Sequence, residues 1–256
     1  MEPCPIVELP QLPFTRVNQR NQKDDYMLRN LEELDGNKLI ATDGPIGHVR
    51  DFYFDDETWI IRYLVADAGD WLPGREVLLS PHALGDHDRD GRVLHVNLSR
   101  RQIEESPPIE LHQPVTREFE KDYYDYYGWP PYWKGGAMWG EIGFPLPYLP
   151  RSVAVSLRHS RREDPVHLRG TEAITGYNIH ATNGPIGAVS SFVVDDQSWA
   201  IGALVLEAGY WFSSKEILIP ICNLDRINDD ESTVYLNLPK EKIQVTSRNG
   251  GVRTAT

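Results

Sequence analysis

Ala41-Thr42-Asp43-Gly44-Pro45-Ile46-Gly47 and Ala181-Thr182-Asn183-Gly184-Pro185-Ile186-Gly187 differ only at Asp43/Asn183, and they lie 140 residues apart (181 minus 41). Held without a gap, the same offset places Phe52 on Phe192, Asp55 and Asp56 on Asp195 and Asp196, and Trp59 on Trp199. It continues through Leu64 and Val65 onto Leu204 and Val205, Trp71 onto Trp211, Glu76 onto Glu216, Asn97 onto Asn237 and Ile103 onto Ile243. About 25 identities over about 70 ungapped positions imply two copies of one folding unit.

The repeat sets the expected organisation: an N-terminal extension over 1–24, a first module over 25–106, a connector over 107–165, a second module over 166–246 and a tail over 247–256. Each module reads as short strands between turn signals. A strand over 38–41 runs into Gly44-Pro45, where Gly tolerates positive φ and Pro fixes φ, and the next strand covers 46–54. Asp55-Asp56-Glu57 turns the chain into 58–68, apolar on both faces as in a central strand. Over 93–98, Leu94, Val96 and Leu98 alternate with His95 and Asn97, so one face is buried and one is wet. Ser99 and Gln102 have capping-box spacing and predict a short helical turn. So few strands leave open edges unless they close, and the expected fold is all-β: two tandem small β-barrels.

These residues resemble the PRC-barrel family, the module named after the cytoplasmic part of the photosynthetic reaction centre H subunit. The resemblance rests on the turn glycine before Ile46-Gly47-x-Val49 and Ile186-Gly187-x-Val189. It is carried further by Ile61-x-x-Leu64-Val65 and Ile201-x-x-Leu204-Val205, by the glycine after each, and by the Leu-Leu-Ser-Pro and Leu-Ile-Pro segments. It covers about 150 residues in two copies and implies small barrels that contact proteins and do not catalyse. The membrane helix of the reaction-centre subunit and the partner domain of the barrel-containing ribosome maturation factor have no counterpart in the sequence, so neither role is carried over.

Formal net charge is −12, which disfavours nucleic acid as a partner. Cys4 and Cys222 form no metal-ligand spacing, prolines interrupt the N-terminal apolar residues, and no run of 18 apolar residues occurs. A reduced, cytoplasmic setting without a transmembrane segment is expected. A peripheral place at a photosynthetic or other membrane complex is an alternative by family analogy alone.

Asp86-x-Asp88-x-Asp90-Gly91 copies the first half of a calcium loop, but position twelve is Asn97 and strands flank it, so the expectation is a solvated hairpin loop. His82, His87 and His95 read as histidines in and beside that loop, not as metal ligands. The repeated carboxylate pairs Asp55-Asp56 and Asp195-Asp196 read as turn chemistry. The basic run at Arg161-Arg162 is offset by Glu163-Asp164. With no nucleophile elbow, zinc motif or phosphate loop, no catalytic residue, metal or cofactor is expected.

The connector holds Tyr-Tyr-Asp-Tyr-Tyr-Gly-Trp over 123–129. Thr116 is positioned to cap a helix with Glu118 and Glu120 in its first turn, and Gly128 and Pro130 to end it. Phe119, Tyr123, Tyr124, Tyr126, Tyr127, Trp129, Tyr132 and Trp133 are the candidate contact residues, toward a partner or within the chain. The sequence therefore reads as a non-enzymatic protein-interaction or scaffold protein, with self-association or another protein as partner. A small-molecule or metal-responsive sensor with a site between the barrels is the rival reading.

Overall fold

The computed structural model describes residues 28–73, 75–88, 91–110, 114–134, 167–208, 216–246 and 252–254. Its elements are β1 (Leu28–Asn30), β2 (Lys38–Ala41), β3 (Gly44–Asp55), β4 (Ile60–Asp67), β5 (Arg75–Leu79), β6 (Leu84–His87) and β7 (Val93–Val96). Then come α1 (Arg100–Glu104), β8 (Ile109–Glu110), α2 (Arg117–Tyr127), β9 (Leu168–Gly170) and α3 (Thr171–Ile174). The chain ends with β10 (Asn178–Ala181), β11 (Gly184–Asp195), β12 (Ile201–Ala208), β13 (Glu216–Pro220), β14 (Leu224–Asn228), β15 (Thr233–Leu236), β16 (Gln244–Thr246) and β17 (Val252–Thr254).

The first sheet has the order β6-β7-β2-β3-β4-β5-β8, with β9 on the free edge of β3. The second has β13-β12-β11-β10-β15-β14, with β1 on β11, and β16 and β17 form a separate two-stranded pair. In both, the strand after the first tight turn is antiparallel to its predecessor, and the last strand of the module returns parallel to the first, β7 on β2 and β15 on β10. Six strands follow the same order in the two sheets. Neither path returns on itself: β5 gives its outer edge to β8 and not to β6. The described residues thus form two open, mainly β sheets, where the sequence led us to expect closed barrels.

The first reversal falls at Thr42-Asp43, two residues before the expected Gly44-Pro45, because Gly44 and Pro45 already pair with Ala41 and Ile40. Asp43 earns its place: its carboxylate accepts the Arg100 amide at 2.7 Å, and Asn183 does the same for Lys240 at 3.0 Å. Each side chain ties the turn to the segment that closes its module. At Gly47, φ is 130° and a Cβ would lie 1.9 Å from the Asp67 carbonyl, so β3 and β4 approach as only glycine permits. The Ser99–Gln102 capping box forms as expected, and Leu94, Val96 and Leu98 are buried while His95 and Asn97 are exposed.

β4 is the axis of the first core: Ile60, Ile61, Tyr63, Leu64, Val65 and Ala66 are all buried, so apolar residues fill both faces as in a covered central strand. Arg62 is buried among them, an exception the apolar pattern did not signal. Ile201, Ala203, Leu204, Val205 and Leu206 of β12 play the same part in the second sheet.

The N-terminal strands depart from the expected module boundaries. β1 precedes the first sheet's strands yet pairs on β11, with Leu28 opposite Asp195 and Asn30 opposite Val193. β9 precedes the second sheet's strands yet pairs on β3, with Leu168 opposite Asp55 and Gly170 opposite Tyr53. The chain accordingly divides into Glu33–Gly170 and Met1–Glu32 with Thr171–Thr256.

Candidate interaction surface

α2 begins where Thr116 Oγ1 accepts the Phe119 amide at 3.2 Å and ends where Gly128 takes the left-handed conformation, φ 69°, both as the sequence predicts. Its inward face is centred on Tyr123, with Phe119 and Tyr127 packed at the border of the same cluster. Glu120, Tyr123 and Tyr124 are the buried residues of the helix, while Tyr126 is 40% exposed. The helix lies on the first sheet, where Tyr123, Tyr124 and Tyr132 pack with Tyr63, Val65, Leu78, Ile109 and Val115. Phe119, Tyr127, Trp129, Trp133 and Leu168 are partly buried around them.

The rings lock one another. Tyr123 meets Tyr63 edge-on at 5.5 Å, Tyr127 stacks on Trp129 at 4.5 Å, and Tyr124 meets Trp133 edge-on at 5.3 Å, the arrangements that aromatic quadrupoles favour. Hydrogen bonds fix the helix to β5, to the residue that follows it and to α1. The Tyr123 hydroxyl donates to the Leu78 carbonyl at 2.9 Å and accepts the Ser80 amide at 3.1 Å. Tyr126 donates to the Gln102 carbonyl at 3.0 Å.

Glu120, in the first turn of the helix, is 0% exposed and is the polar centre of this core. Its carboxylate accepts from the Tyr63 hydroxyl at 3.0 Å, the Tyr132 hydroxyl at 2.8 Å and Arg117 Nη1 at 2.6 Å. The Arg62 guanidinium sits 3.9 Å over the Tyr132 ring and reaches Thr58 Oγ1 at 3.2 Å. Arg117 lies 4.5 Å over the Trp133 ring. Burial raises the Glu120 carboxyl above its usual range despite Arg117 and the two phenols. Burial also lifts the phenols of Tyr63, Tyr123, Tyr124 and Tyr132, and it pushes Tyr127 up to about 12. This core is held by donor–acceptor geometry and offers its polar groups to one another. One signal was available: Glu120 shares the i, i+3, i+4 stripe of Tyr123 and Tyr124.

The eight aromatic residues singled out from the sequence come together here in two roles. Tyr123, Tyr124 and Tyr132 are interior anchors. Phe119, Tyr126, Tyr127, Trp129 and Trp133 keep part of each ring at the surface, next to exposed Glu118, Lys121, Asp122 and Asp125. His82 stacks on Trp129 at 5.5 Å. In the loop compared with a calcium site, Asp88 Oδ1 accepts the Arg92 and Val93 amides at 2.8 and 3.0 Å, turn chemistry as expected. Asp90, Cys4 and Arg161-Arg162 lie outside the described residues. Among the described residues no group of three or more His, Cys, Asp or Glu could hold a metal ion, and no helix is long and apolar enough to cross a membrane.

The carboxylate pairs divide their labour. Asp55 Oδ1 accepts the Glu57 and Thr58 amides, and Asp195 Oδ1 the Gln197 and Ser198 amides. Asp56 pairs with Arg169 of β9, and Asp196 with Arg29 of β1 at 3.1 Å. Turn chemistry accounts for the first of each pair. The second clamps a strand from elsewhere in the chain.

These features define a mainly β protein with a helix-borne aromatic surface on its first sheet. Set against known proteins, no family model matches the chain, and no curated protein matches it.

Proposed function

We propose that the chain is a non-enzymatic protein-interaction or scaffold protein, its frame two PRC-barrel-like modules and its docking surface the outer side of α2. The observation that carries this reading is the division among the aromatic residues. Three buried tyrosines hold Phe119, Tyr126, Tyr127, Trp129 and Trp133 in place with part of each ring exposed. Rigid rings that lose little rotamer freedom on contact are the groups that anchor interfaces. The neighbouring Glu118, Asp122 and Asp125 outnumber Lys121, so the complementary surface is basic, with arginines able to stack on the rings.

Native purification of the full chain with mass spectrometry of co-purifying proteins tests this. A stoichiometric partner is expected, and its capture is lost in the triple variant Asp122→Lys, Asp125→Lys, Tyr126→Ala, while the fold is kept and stability falls only by the exposed Tyr126–Gln102 hydrogen bond, about 1 kcal/mol. A chain that captures nothing and runs as a monomer overturns the reading, as does capture that the triple variant leaves intact.

A further inference from the structure

The three-residue strands β1 and β9 stand at equivalent positions, Leu28 and Arg29 matching Leu168 and Arg169 at the 140-residue offset. Their pairings are reciprocal in register: Leu28 opposite Asp195 and Leu168 opposite Asp55, Asn30 opposite Val193 and Gly170 opposite Tyr53. Each brings an arginine to the second aspartate of the acceptor turn, Arg29 to Asp196 and Arg169 to Asp56. Leu28 packs on Val193, Ala203 and Val205 in one sheet, and Leu168 on the aromatic cluster in the other. One donor type therefore fits one acceptor type, and every copy of the chain carries two of each.

The end of β1 and the residues just after it are also compatible with their own sheet. The Gly36 amide bonds to the Val49 carbonyl at 3.0 Å, where the chain joins the edge of β3, and Gly176 does the same on Val189 at 2.8 Å. Running that antiparallel register backwards brings residues 30–32 opposite 53–55, the stretch of β3 that β9 occupies. The turns at 31–33 and 171–174 instead lead the chain away. A segment that can continue along its own sheet but is placed on another, through a short intervening turn, is the arrangement from which strand exchange between molecules arises. Residues 135–166 separate the last described residue of the connector from His167. Fully extended, that many residues span about 100 Å, enough to reach an acceptor on another chain.

We propose that two copies of this chain interlock by exchanging these strands, β1 of each on β11 of the other and β9 of each on β3 of the other. The same hydrogen bonds and the same two arginine–aspartate clamps are made in the dimer as within one chain. Effective concentration then decides between the forms, dilute chains closing on themselves and concentrated ones on each other. The proposal rests on the interaction-protein reading and names one partner for it, a second copy.

Two complementary full-length variants test it. One carries Arg29→Asp and Arg169→Asp, the other Asp56→Arg and Asp196→Arg. Alone, each opposes like charges at both clamps; mixed as exchanged dimers, every clamp is again of opposite sign. Co-refolded from denaturant at high concentration and examined by native mass spectrometry, they are expected to give a mixed 1:1 dimer that melts above either variant alone. Monomers only, or equal amounts of homodimer and mixed dimer, overturn the proposal. Should the variants fail to fold even together, two differently tagged wild-type chains co-refolded in the same way must capture one another. No capture between them, or equal capture when the two folded chains are mixed without denaturation, again overturns it. The α2 triple variant retains its strand clamps, so loss of partner capture there with intact self-exchange separates failure of the docking surface from failure of this proposal.

Discussion

Trp59 and Trp199 both hold left-handed backbone, φ 58° and 56°, at the same step of two hairpin turns. Each amide donates to the carbonyl four residues back, Asp55 at 2.7 Å and Asp195 at 2.8 Å. A bulky residue is uncommon at positive φ, so the rest of the turn must hold it there. The aspartate does so by capping the intervening amides, and Phe54 stacks on the Trp59 ring at 5.1 Å.

Asp195→Ala is therefore expected to lower stability by about 1–3 kcal/mol, since the Gln197 and Ser198 amides lose their acceptor. Asp55→Ala should behave alike. Urea unfolding with an unchanged slope and a lower midpoint would measure it.

Glu120→Leu should be among the most damaging single substitutions, costing about 3–5 kcal/mol, because Arg117 and the phenols of Tyr63 and Tyr132 lose a shared acceptor in a buried site. Thermal melts will register the loss. Glu120→Gln keeps the volume and an acceptor oxygen, so it should cost less.

The same residue predicts a pH dependence. The folded-state pKa of Glu120 lies above the unfolded value, so across that window the folded protein holds the extra proton and stability falls as pH rises. The contribution is complete below the ordinary glutamate pKa and is lost as pH climbs through the raised one. Urea midpoints for wild type and Glu120→Gln, measured from pH 4 upward, should converge as pH rises if this group is the cause.

Tyr123→Phe removes a donor to the Leu78 carbonyl and the acceptor of the buried Ser80 amide, and about 1–3 kcal/mol is expected to go with it. Replacing Tyr123, Tyr127 and Trp129 together with Ser should lower the melting temperature sharply, since all three belong to the packed cluster or its border. Circular dichroism melts decide both.

Gly47→Ala forces a Cβ against the Asp67 backbone at a φ of 130°, whereas Gly36→Ala, at φ 68°, meets nothing within 4 Å. The second should cost about 1 kcal/mol for the left-handed backbone alone, and the first several-fold more, read as the difference in urea midpoint.

Caps were legible because their chemistry is local: Thr116, Ser99 with Gln102, and Gly128 act within a few residues, whereas the first reversal falls at Thr42-Asp43 and not at Gly44-Pro45. β4 showed itself as central by apolar residues on both faces. Arg62 and Glu120 did not show, since each is buried by partners distant in sequence, Arg62 under Tyr132 and Glu120 between Tyr63 and Tyr132. Nor could the placement of β1 be read. Three residues carry no period, and the edges of β3 and β11 are equivalent acceptors, so local sequence prefers neither. The open sheet order was hidden for a related reason: β8 is two residues long and takes the edge of β5 that a closing strand would have needed.

The placement of β9 has a consequence at the ribosome. The chain emerges N-terminus first, so β2 to β7 can assemble while Tyr53–Asp55 still waits for Leu168–Gly170, and Leu28–Asn30 is finished long before β11 exists to receive it. Throughout that interval a nascent chain presents one unfilled strand edge and one unclaimed strand. On a message carrying several ribosomes, neighbouring nascent chains offer each other the complementary halves, and translation speed over 56–167 sets how long that offer stands.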